Sequence, residues 1–341
     1  MSSLVTGATG FLGTRVVDRL LEAGRRVVCL VRPGSRREAL EQVVGKERRA
    51  NVEMRVGSLA SEDAAARAVE GCDTVFHLAA SLRGAPADIF MSTVVATRNL
   101  LDALRARPSP PKLVHVSSFG VYGVANLPRG ARVDERTPLE ARPELRDPYS
   151  LAKLRQERLV WEYAGRWGIP TVVLRPGVVY GPAGTVFSSR VGVDLFGVFL
   201  HLGGENALPL TFVDNCADAI VTAADAPGSQ GQAFNVVDDG VVTAARWLGL
   251  YKQRVDDVFS VRVPYPVLVG ISELVERYHA YSRGQLPAVF TRYKTACTWG
   301  GNHFDNRKLR ALGWRQRVPT EEALAATFEA FRGRALERAV S

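Results

Sequence analysis

The run Thr6-Gly7-Ala8-Thr9-Gly10-Phe11-Leu12-Gly13 stands near the start of the chain and decides its fold. A short β-like run, Ser3-Leu4-Val5, precedes it, and residues 14–23 follow with helical periodicity that ends at Gly24. A second strand is predicted at Arg26 to Val31. Glycines at these positions let the backbone approach a pyrophosphate, and the N-terminus of the helix supplies N–H donors. The run therefore predicts the first half of a dinucleotide-binding βαβ unit.

Strands and helices continue to alternate beyond this unit. Strands are predicted at 51–56, 74–80 and 112–118, and helices at 62–69 and 91–105. This alternation predicts a parallel sheet covered by helices on both faces. The expected fold class is α/β, a Rossmann-type doubly wound parallel sheet with a smaller C-terminal lobe.

Tyr149 and Lys153 are four residues apart in the run Asp147-Pro148-Tyr149-Ser150-Leu151-Ala152-Lys153. On a helix this spacing puts both side chains on one face, about one turn apart. A neighbouring ammonium favours the phenolate, so the pair predicts a tyrosine whose pKa is lowered toward the working range. The same spacing also occurs by chance, as a tyrosine over apolar neighbours with a solvated lysine; the glycine-rich run favours the functional interpretation.

The end of the second strand indicates which nucleotide is bound. NAD-selective sites usually place an acid there for the ribose hydroxyls, whereas this chain has Arg32, Arg36 and Arg37 and no acid. The arginines favour the 2′-phosphate of NADP(H) over NAD(H). Stacking of Arg32 on adenine and solvation of the other two is the alternative.

Composition and charge describe an ordinary globular protein and argue against binding to nucleic acid. The 341 residues are 46% hydrophobic, which is ordinary for a globular chain with an ample core. The formal charge of +9 comes mainly from arginine, because only six of the 44 basic residues are lysines. These arginines are scattered and form no basic block, so we expect no nucleic-acid partner.

The cysteines and histidines predict neither a disulfide framework nor a metal site. Cys29, Cys72, Cys216 and Cys297 are widely spaced, and the five histidines form no cluster. The chain enters a strand within a few residues and has no apolar run of membrane-spanning length, so we expect no signal peptide and no integral membrane segment. A reduced cytoplasmic location fits best.

Ligands of a doubly wound sheet gather beyond the carboxyl ends of its strands. Leu78-Ala79-Ala80 ends one predicted strand with small residues, against which a nicotinamide ribose can pack. Ser117-Ser118 ends the next, with hydroxyls that can reach a substrate oxygen.

Six motifs along nearly the whole chain together resemble those of the extended short-chain dehydrogenase/reductases. They occur in the order of that family and are Thr6 to Gly13, His77-Leu-Ala-Ala80, Val116-Ser-Ser-Phe-Gly-Val-Tyr-Gly123, Tyr149-x-x-x-Lys153, Leu174-Arg-Pro-Gly-Val-Val-Tyr-Gly-Pro182 and Phe212-Val-Asp-Asn-Cys-Ala-Asp-Ala219. The resemblance implies an NAD(P)-dependent dehydrogenase/reductase or epimerase that acts on a small molecule as a homodimer, paired through helices around 91–105 and 149–164. It divides the chain into a mainly NAD(P)-binding domain at 1–180 and a mainly substrate-binding lobe at 181–341, with segments around 208–237 returning to the first.

The resemblance also assigns roles to individual residues. Ser118 would hydrogen-bond the reacting oxygen, Tyr149 would donate or take its proton, and Lys153 would hold the nicotinamide ribose while it lowers the tyrosine pKa. The expected cofactor contacts are Gly7, Thr9, Gly10, Phe11, Leu12, Gly13, Arg32, Ser58, Leu59, Leu78, Ala79, Ala80, Val116, Tyr149, Lys153, Pro176 and Val178. The expected substrate contacts are Ser81, Phe119, Val179, Phe187 and Leu208.

Departures from the family pattern narrow the chemistry. Dehydratases of this kind place an Asp-Glu pair after the active-site hydroxyl, where this chain has Phe119 and Gly120, so a dehydratase function is disfavoured. Decarboxylases usually also carry an acid at the position of Gly120, so a decarboxylase function is disfavoured as well. Many nucleotide-sugar epimerases carry an arginine shortly before the Val213-Asp214 element, where this chain has leucine. Ser58 and Thr93 stand where Asp and Asn are common.

The C-terminal third resembles the tail of 3β-hydroxysteroid dehydrogenase-like enzymes. The similar stretches are 261–278, 285–292, 304–308 and 312–314. Apolar residues between Val267 and Tyr278 recur at helical spacing and are expected to be core, with a substrate channel as the alternative. Residues 193–200 are interpreted as an interface helix or as core. By this resemblance, we expect the substrate-binding lobe to be apolar and able to contact a membrane surface peripherally.

Three hypotheses follow from the sequence. The first is an NADP(H)-preferring reductase or dehydrogenase that acts on a secondary alcohol or ketone of a largely apolar molecule. The second is a nucleotide-sugar epimerase or ketoreductase. The third, disfavoured because Tyr149 and Lys153 are both present, is a non-catalytic nucleotide-binding protein on the same fold.

Overall fold

A computed structural model describes residues 1–282 and 290–340, with side chains described as far as residue 337. Its centre is a seven-stranded sheet in the order β13-β7-β5-β4-β1-β2-β3. All six strand pairings in this sheet are parallel. The strands are β1 (Ser2–Thr6), β2 (Arg26–Val31), β3 (Val52–Val56), β4 (Thr74–His77), β5 (Lys112–Val116), β7 (Thr171–Pro176) and β13 (Gln232–Val236). The predicted doubly wound parallel sheet is confirmed.

Helices cover both faces of the sheet, and each face has its own hydrophobic core. One core packs around Val16, Leu20 and Ile220, and the other packs around Leu100, Leu104 and Val160. The helices of the first face are α1 (Phe11–Glu22), α2 (Glu38–Val44), α7 (Val213–Asp225) and α11 (Arg307–Ala311). Those of the second are α3 (Glu62–Val69), α5 (Ala96–Arg105) and α6 (Pro148–Trp167).

The long helix predicted at 91–105 is interrupted. A short helix, α4 (Pro86–Phe90), leads through a π-helical turn at Met91–Val95 into α5. Beside this turn, Thr97 Oγ1 donates to the carbonyl of Thr93 at 2.6 Å. Apolar periodicity predicts where such a helix lies but not where its hydrogen-bond pattern changes.

Four small sheets and four further helices complete the part of the chain that the structure describes. A three-stranded sheet has the order β15-β10-β9, and pairs form between β11 and β14, β12 and β8, and β16 and β6. These strands are β6 (Arg132–Val133), β8 (Val178–Tyr180), β9 (Gly192–Leu195), β10 (Val198–His201), β11 (Ala207–Leu208), β12 (Leu210–Phe212), β14 (Val242–Thr243), β15 (Ser260–Arg262) and β16 (His303–Phe304). The remaining helices are α8 (Ala244–Arg254), α9 (Tyr265–Tyr281), α10 (Arg292–Trp299) and α12 (Thr320–Val340).

Residues 193–200 form a β-hairpin, so the helix interpretation of this segment is wrong. β9 and β10 pair antiparallel, with Val198 opposite Leu195. Phe196 lies in the turn between them with a φ of 52° and is almost fully exposed. Phe196 and Gly197, which has a φ of 83°, are the two left-handed residues of the two-residue turn that joins the strands.

The apolar stripe of α9 is mostly exposed, so the prediction that it is core is wrong. Leu268 is buried against Leu202 and Trp299, but Val267, Ile271, Leu274 and Tyr278 are exposed. The helix packs on one side only, where Ser272 Oγ lies 2.7 Å from Thr295 Oγ1 of α10. Residues 285–289 of the similar tail segment lie outside the described residues.

Candidate active site

The glycine-rich run forms a tight turn between β1 and α1. Gly7 has a φ of 74°, and a Cβ there would lie 3.1 Å from the backbone nitrogen of Ala79. A Cβ on Gly13 would lie 2.0 Å from the carbonyl oxygen of Gly7, so only glycine lets α1 pack this closely on the turn. These contacts bring the glycine-rich turn and the end of β4 together.

The N-terminus of α1 is suited to bind an anion. Its N-cap is Gly10, no side chain caps it, and its first turn carries no acidic residue. The free N–H groups and the positive end of the helix dipole therefore face the turn without competition from the protein. Thr9, Phe11 and Leu12 belong to this turn and to the first turn of the helix. The pyrophosphate of a dinucleotide fits this arrangement.

The other predicted cofactor residues lie at the carboxyl ends of neighbouring strands. The backbone nitrogen of Leu78 donates to Thr6 O at 3.3 Å, which holds 78–80 beside the glycine-rich turn. Ser58 is partly buried after β3, whereas the side chain of Leu59 is buried in the core. Arg32 is exposed after β2. Val116 ends β5, Pro176 ends β7, and Val178 begins β8.

The hydroxyls of Ser118 and Tyr149 lie close enough together that Ser118 lowers the pKa of Tyr149. Helix α6 fixes the position of Tyr149, because Asp147 caps the helix by accepting from the backbone nitrogen of Ser150 at 2.9 Å and Pro148 occupies the first turn. Ser118 follows β5, and its Oγ accepts from the backbone nitrogen of Gly120 at 3.1 Å. The structure thus brings two of the three predicted catalytic residues close together.

Lys153 is buried and points into the protein. Its ammonium donates to the carbonyl of Val116 at 2.7 Å and to Gln156 Oε1. Burial lowers the pKa of Lys153 to about 7, and the charge of Glu157 opposes this shift. The lysine is therefore held by the end of β5 and by its own helix.

The prediction that Lys153 lowers the pKa of Tyr149 is wrong for this structure. Burial raises the pKa of Tyr149 above its usual value, the Ser118 hydrogen bond lowers it, and the charge of Asp147 raises it. The helix places both side chains on one face, but the lysine ammonium is engaged by Val116 and Gln156. A protonated phenol near neutrality is the result, which suits a proton donor.

A buried polar network extends from Lys153 to the glycine-rich turn. Gln156 Nε2 donates to Thr97 Oγ1 at 2.7 Å, and Thr97 Oγ1 lies 2.7 Å from His77 Nε2. His77 Nδ1 lies 2.8 Å from Thr6 Oγ1. Burial and the charge of Lys153 lower the pKa of His77 to about 3, so the imidazole is neutral. Sequence reasoning missed Gln156 and Thr97; the spacing of Gln156 three residues after Lys153 was the available signal.

A second buried network ties α6 to β7. Arg175 donates to Glu157, and its Nη1 donates to the hydroxyl of Tyr122 at 2.9 Å. Glu157 also accepts from the hydroxyl of Ser117, next to Ser118. Both charges are almost fully buried. The pair therefore fixes the helix that carries Tyr149 against the strands that end at the site.

The predicted substrate residues do not all lie beside Ser118 and Tyr149. Phe119 is buried directly after Ser118, and its ring stacks on Phe304 at a centroid distance of 4.0 Å. Phe187 packs against Phe199 at 4.4 Å. Leu208 is buried in the C-terminal core and lines a cavity of about 450 Å³ whose walls include neither Ser118 nor Tyr149.

The remaining two predicted substrate residues, Ser81 and Val179, are partly buried. Ser81 is partly buried, and its backbone nitrogen donates to Thr93 Oγ1 at 3.1 Å. Val179 lies in β8 and packs against both the central and the C-terminal cores. Both are close in sequence to residues of the cofactor set, so they can contact a ligand held there.

The described residues contain no group of three or more His, Cys, Asp or Glu side chains that could hold a metal ion. The four cysteines are free and buried. Across residues 1–282 and 290–340, no helix combines the length and the apolarity needed to cross a bilayer.

Comparison with known proteins agrees with this geometry. The model of the NAD dependent epimerase/dehydratase family matches residues 3–236, more than half of the chain. The chain therefore belongs to that family, within the extended short-chain dehydrogenase/reductases. It is an NAD(P)-dependent enzyme of the dehydrogenase/reductase or epimerase type.

Individual relatives span both types. A 2-alkyl-3-oxoalkanoate reductase of Shewanella oneidensis is 28% identical over 94% of this chain and 84% of its own. A UDP-glucose 4-epimerase of Mycolicibacterium smegmatis is 29% identical over 98% of this chain and 99% of its own. The solved structure titled gox2253 is 26% identical, covers 98% of both chains and has a TM-score of 0.79.

Proposed function

We propose that this protein is an NADP(H)-preferring reductase or dehydrogenase that acts on a secondary alcohol or ketone of a largely apolar molecule. The observation that carries the proposal is the pair of neighbouring hydroxyls of Ser118 and Tyr149, at the strand ends that also hold the glycine-rich turn. Such a pair can hold a substrate oxygen and exchange a proton with it.

The roles of the residues follow from their positions. In the reducing direction Ser118 hydrogen-bonds the carbonyl oxygen and Tyr149 donates its phenolic proton to it, so the oxygen becomes a hydroxyl. A bound reduced nicotinamide supplies the hydride to the carbonyl carbon. In this proposal Lys153 holds the ribose of the dinucleotide, as the family resemblance implies, and the N–H groups at the N-terminus of α1 hold its pyrophosphate. In the oxidising direction the proton moves back to Tyr149.

An apolar substrate is supported by the walls beside Ser118. Phe119 and Phe304 form a stacked aromatic pair, and Phe187 belongs to a second aromatic cluster in the lobe. The reductase relative from Shewanella oneidensis is named for a substrate that combines alkyl groups with a 3-oxo group. Both observations favour a ketone on an alkyl chain or ring system.

A nucleotide-sugar epimerase is the second candidate. The epimerase relative from Mycolicibacterium smegmatis matches over nearly its whole length, and Ser118, Tyr149 and Lys153 serve that chemistry equally well. Oxidation to a keto-sugar and reduction on the other face use the same acid and base. Tightly retained NAD after purification favours this alternative.

Incubation of the purified protein with NADPH and a panel of sterol-like, polyketide-like and long-chain ketones tests the proposal. We expect loss of the reduced-nicotinamide absorbance with at least one apolar ketone and none with UDP-, GDP- or TDP-sugars. No loss with any ketone, together with turnover of a UDP-sugar, would reject the proposal in favour of the epimerase.

The nucleotide preference is tested by the arginines after β2. Arg32 and Arg36 are exposed and form no ion pair within the described part of the chain, so they are available to a 2′-phosphate. We expect Arg32→Ala combined with Arg36→Ala to raise the KM for NADPH about 10-fold or more while the KM for NADH stays within about twofold, because charge-assisted hydrogen bonds are lost. Steady-state kinetics with both nucleotides measure this.

Arg67→Ala is the matched control for the nucleotide experiment. Arg67 is also exposed and without an ion pair in the described residues, but it lies near the end of α3. An equal rise in the KM for both nucleotides in the double variant would contradict the NADP(H) assignment.

The cytoplasmic homodimer belongs to the same proposal. Four free, buried thiols support a reducing compartment. Pairing through α5 and α6 is the arrangement that the family resemblance implies.

A further inference from the structure

Arg190 is a partly buried guanidinium that lacks a carboxylate partner among the residues the structure describes. It lies in the segment between β8 and β9, three residues after Phe187. Its Nη1 donates to the carbonyl of Thr298 at 3.1 Å, and its Cζ lies 5.9 Å from the ring centroid of Phe304. A guanidinium has five N–H donors, so most of its donors have no acceptor from the described chain.

The surroundings of Arg190 connect it to the candidate active site. The ring of Phe304 stacks on Phe119, the residue that follows Ser118. Arg146, three residues before Tyr149, also lowers the pKa of Arg190 through its charge. Arg190 is therefore linked to the segment that carries Ser118 through the rings of Phe304 and Phe119.

The charge of Arg190 is not compensated by its neighbours. Burial, followed by the charge of Arg146, lowers its pKa to about 10, and no carboxylate raises it. The carboxylate of Glu140 is already engaged, because it pairs with Arg146 at 3.3 Å and also accepts from Tyr293. Buried charges in proteins are ordinarily paired, because an isolated one loses its hydration without return. An arginine left in this state is suited to a charge that arrives with a ligand.

A second polar group of the same segment also lacks a partner among the described residues. The hydroxyl of Ser188, two residues earlier, is buried and makes no hydrogen bond to the described residues. A guanidinium and a hydroxyl together offer donors to one oxyanion. The ring of Phe304 lies beside the guanidinium and stacks on Phe119, so the ligand combines an anion with apolar groups.

We propose that Arg190 binds the carboxylate of the substrate, next to the carbon whose oxygen Ser118 and Tyr149 hold. The substrate class is then an apolar acid with a hydroxyl or keto group close to its carboxylate. This inference rests on the proposed function, which it extends by naming an anion. The planar guanidinium fork matches the two oxygens of a carboxylate. A diphosphate is the other source of such an oxyanion, and the single uncompensated guanidinium among aromatic rings favours the carboxylate.

The kinetic test compares an acid with its ester. The protein is assayed with NADP⁺ and a series of long-chain 3-hydroxy acids, each paired with its own methyl ester, and appearance of the reduced nicotinamide is followed. We expect the wild type to have a kcat/KM for the acid about 10- to 100-fold above that for the ester. Arg190→Gln should remove this preference by raising the KM for the acid, with the ester unchanged. Arg190→Lys should retain part of it, because the charge remains and the fork is lost.

Arg334→Gln is the matched control. Arg334 on α12 also donates to one backbone carbonyl, that of Gly184 at 3.2 Å, and also lies over one phenylalanine ring, that of Phe331 at 4.9 Å. A purely structural role of Arg190 would make the two glutamine variants alike. Equal loss of acid and ester turnover in Arg190→Gln, or equal turnover of acid and ester by the wild type, would overturn the inference while the oxidoreductase proposal stands.

A binding measurement separates this inference from the proposed function. Thermal unfolding is followed with NADP⁺ plus decanoate, methyl decanoate or UDP-glucose, for the wild type and the two glutamine variants. We expect decanoate alone to stabilise the wild type and Arg334→Gln, and to have no effect on Arg190→Gln. Arg190-dependent binding of decanoate without turnover of any substrate would leave the anion site in place and reject the oxidoreductase assignment. Arg190-dependent stabilisation by UDP-glucose, with none by decanoate, would assign the arginine to a diphosphate and overturn the carboxylate.

Discussion

Replacement of Tyr149 by phenylalanine is expected to lower kcat by about 1,000-fold, since general acid–base catalysis contributes about 10²- to 10⁴-fold. In the proposed function the phenol is the proton donor of the site, and the neighbouring Ser118 lowers its pKa. Its pKa is raised by burial, so the proton is present near neutrality and available to a carbonyl oxygen. Turnover of the apolar ketone identified by the panel, with NADPH, measures the loss.

The Tyr149→Phe variant should still bind the nucleotide. The glycine-rich turn and α1 lie on other segments of the chain, and Lys153 is held by Val116 and Gln156 rather than by the phenol. Quenching of protein fluorescence by NADPH should therefore give a Kd within about twofold of the wild type, a difference well below the tenfold that 1.4 kcal/mol produces.

Tyr163→Phe provides the control on the same helix. Tyr163 lies on α6 and donates to Asp102 at 2.9 Å, away from Ser118. Its replacement removes one hydrogen bond, worth about 1 kcal/mol of stability, and should leave kcat unchanged. Unchanged turnover in Tyr149→Phe would overturn the assignment of the phenol as the proton donor.

Local sequence signals predicted the elements whose structure depends on nearby residues. The bounds of β2 and α3 agree with the predicted strand and helix, because Arg26 to Val31 is a buried β-branched run and Ser61 caps α3 directly. The glycine-rich turn followed from the glycines alone. Parallel pairing of the strands followed from their alternation with helices.

Contacts between distant segments could not be predicted in this way. The periodicity of α9 indicated a buried stripe, but the structure covers only Leu268, because no element packs on the other apolar positions among the described residues. The pairing of Lys153 with Gln156 in place of Tyr149 depends on the end of β5, which supplies the carbonyl of Val116. The uncompensated charge of Arg190 becomes visible only when its neighbours are known in space.

Glu157→Ala is expected to lower the free energy of unfolding by about 3–5 kcal/mol, because it leaves a buried charge without its partner. Glu157 is fully buried and accepts from Arg175 of β7 and from Ser117 beside the catalytic serine. Without it, the Arg175 guanidinium keeps its charge in an environment that excludes water. Urea denaturation followed by circular dichroism measures the change, with m expected to stay constant.

A double variant shows whether the stability is lost because the charge of Arg175 is left unpaired or because the packed side chain of Glu157 is missing. Glu157→Leu combined with Arg175→Met removes both charges and keeps much of the volume, so it should be more stable than Glu157→Ala. Glu162→Ala on the exposed side of the same helix is the control, with an expected effect below about 0.5 kcal/mol. A double variant as unstable as the single one would show that packing of Glu157, and not the unpaired charge of Arg175, holds α6 against β7. In that case the position of Tyr149 would depend on the shape of this interface rather than on its charges.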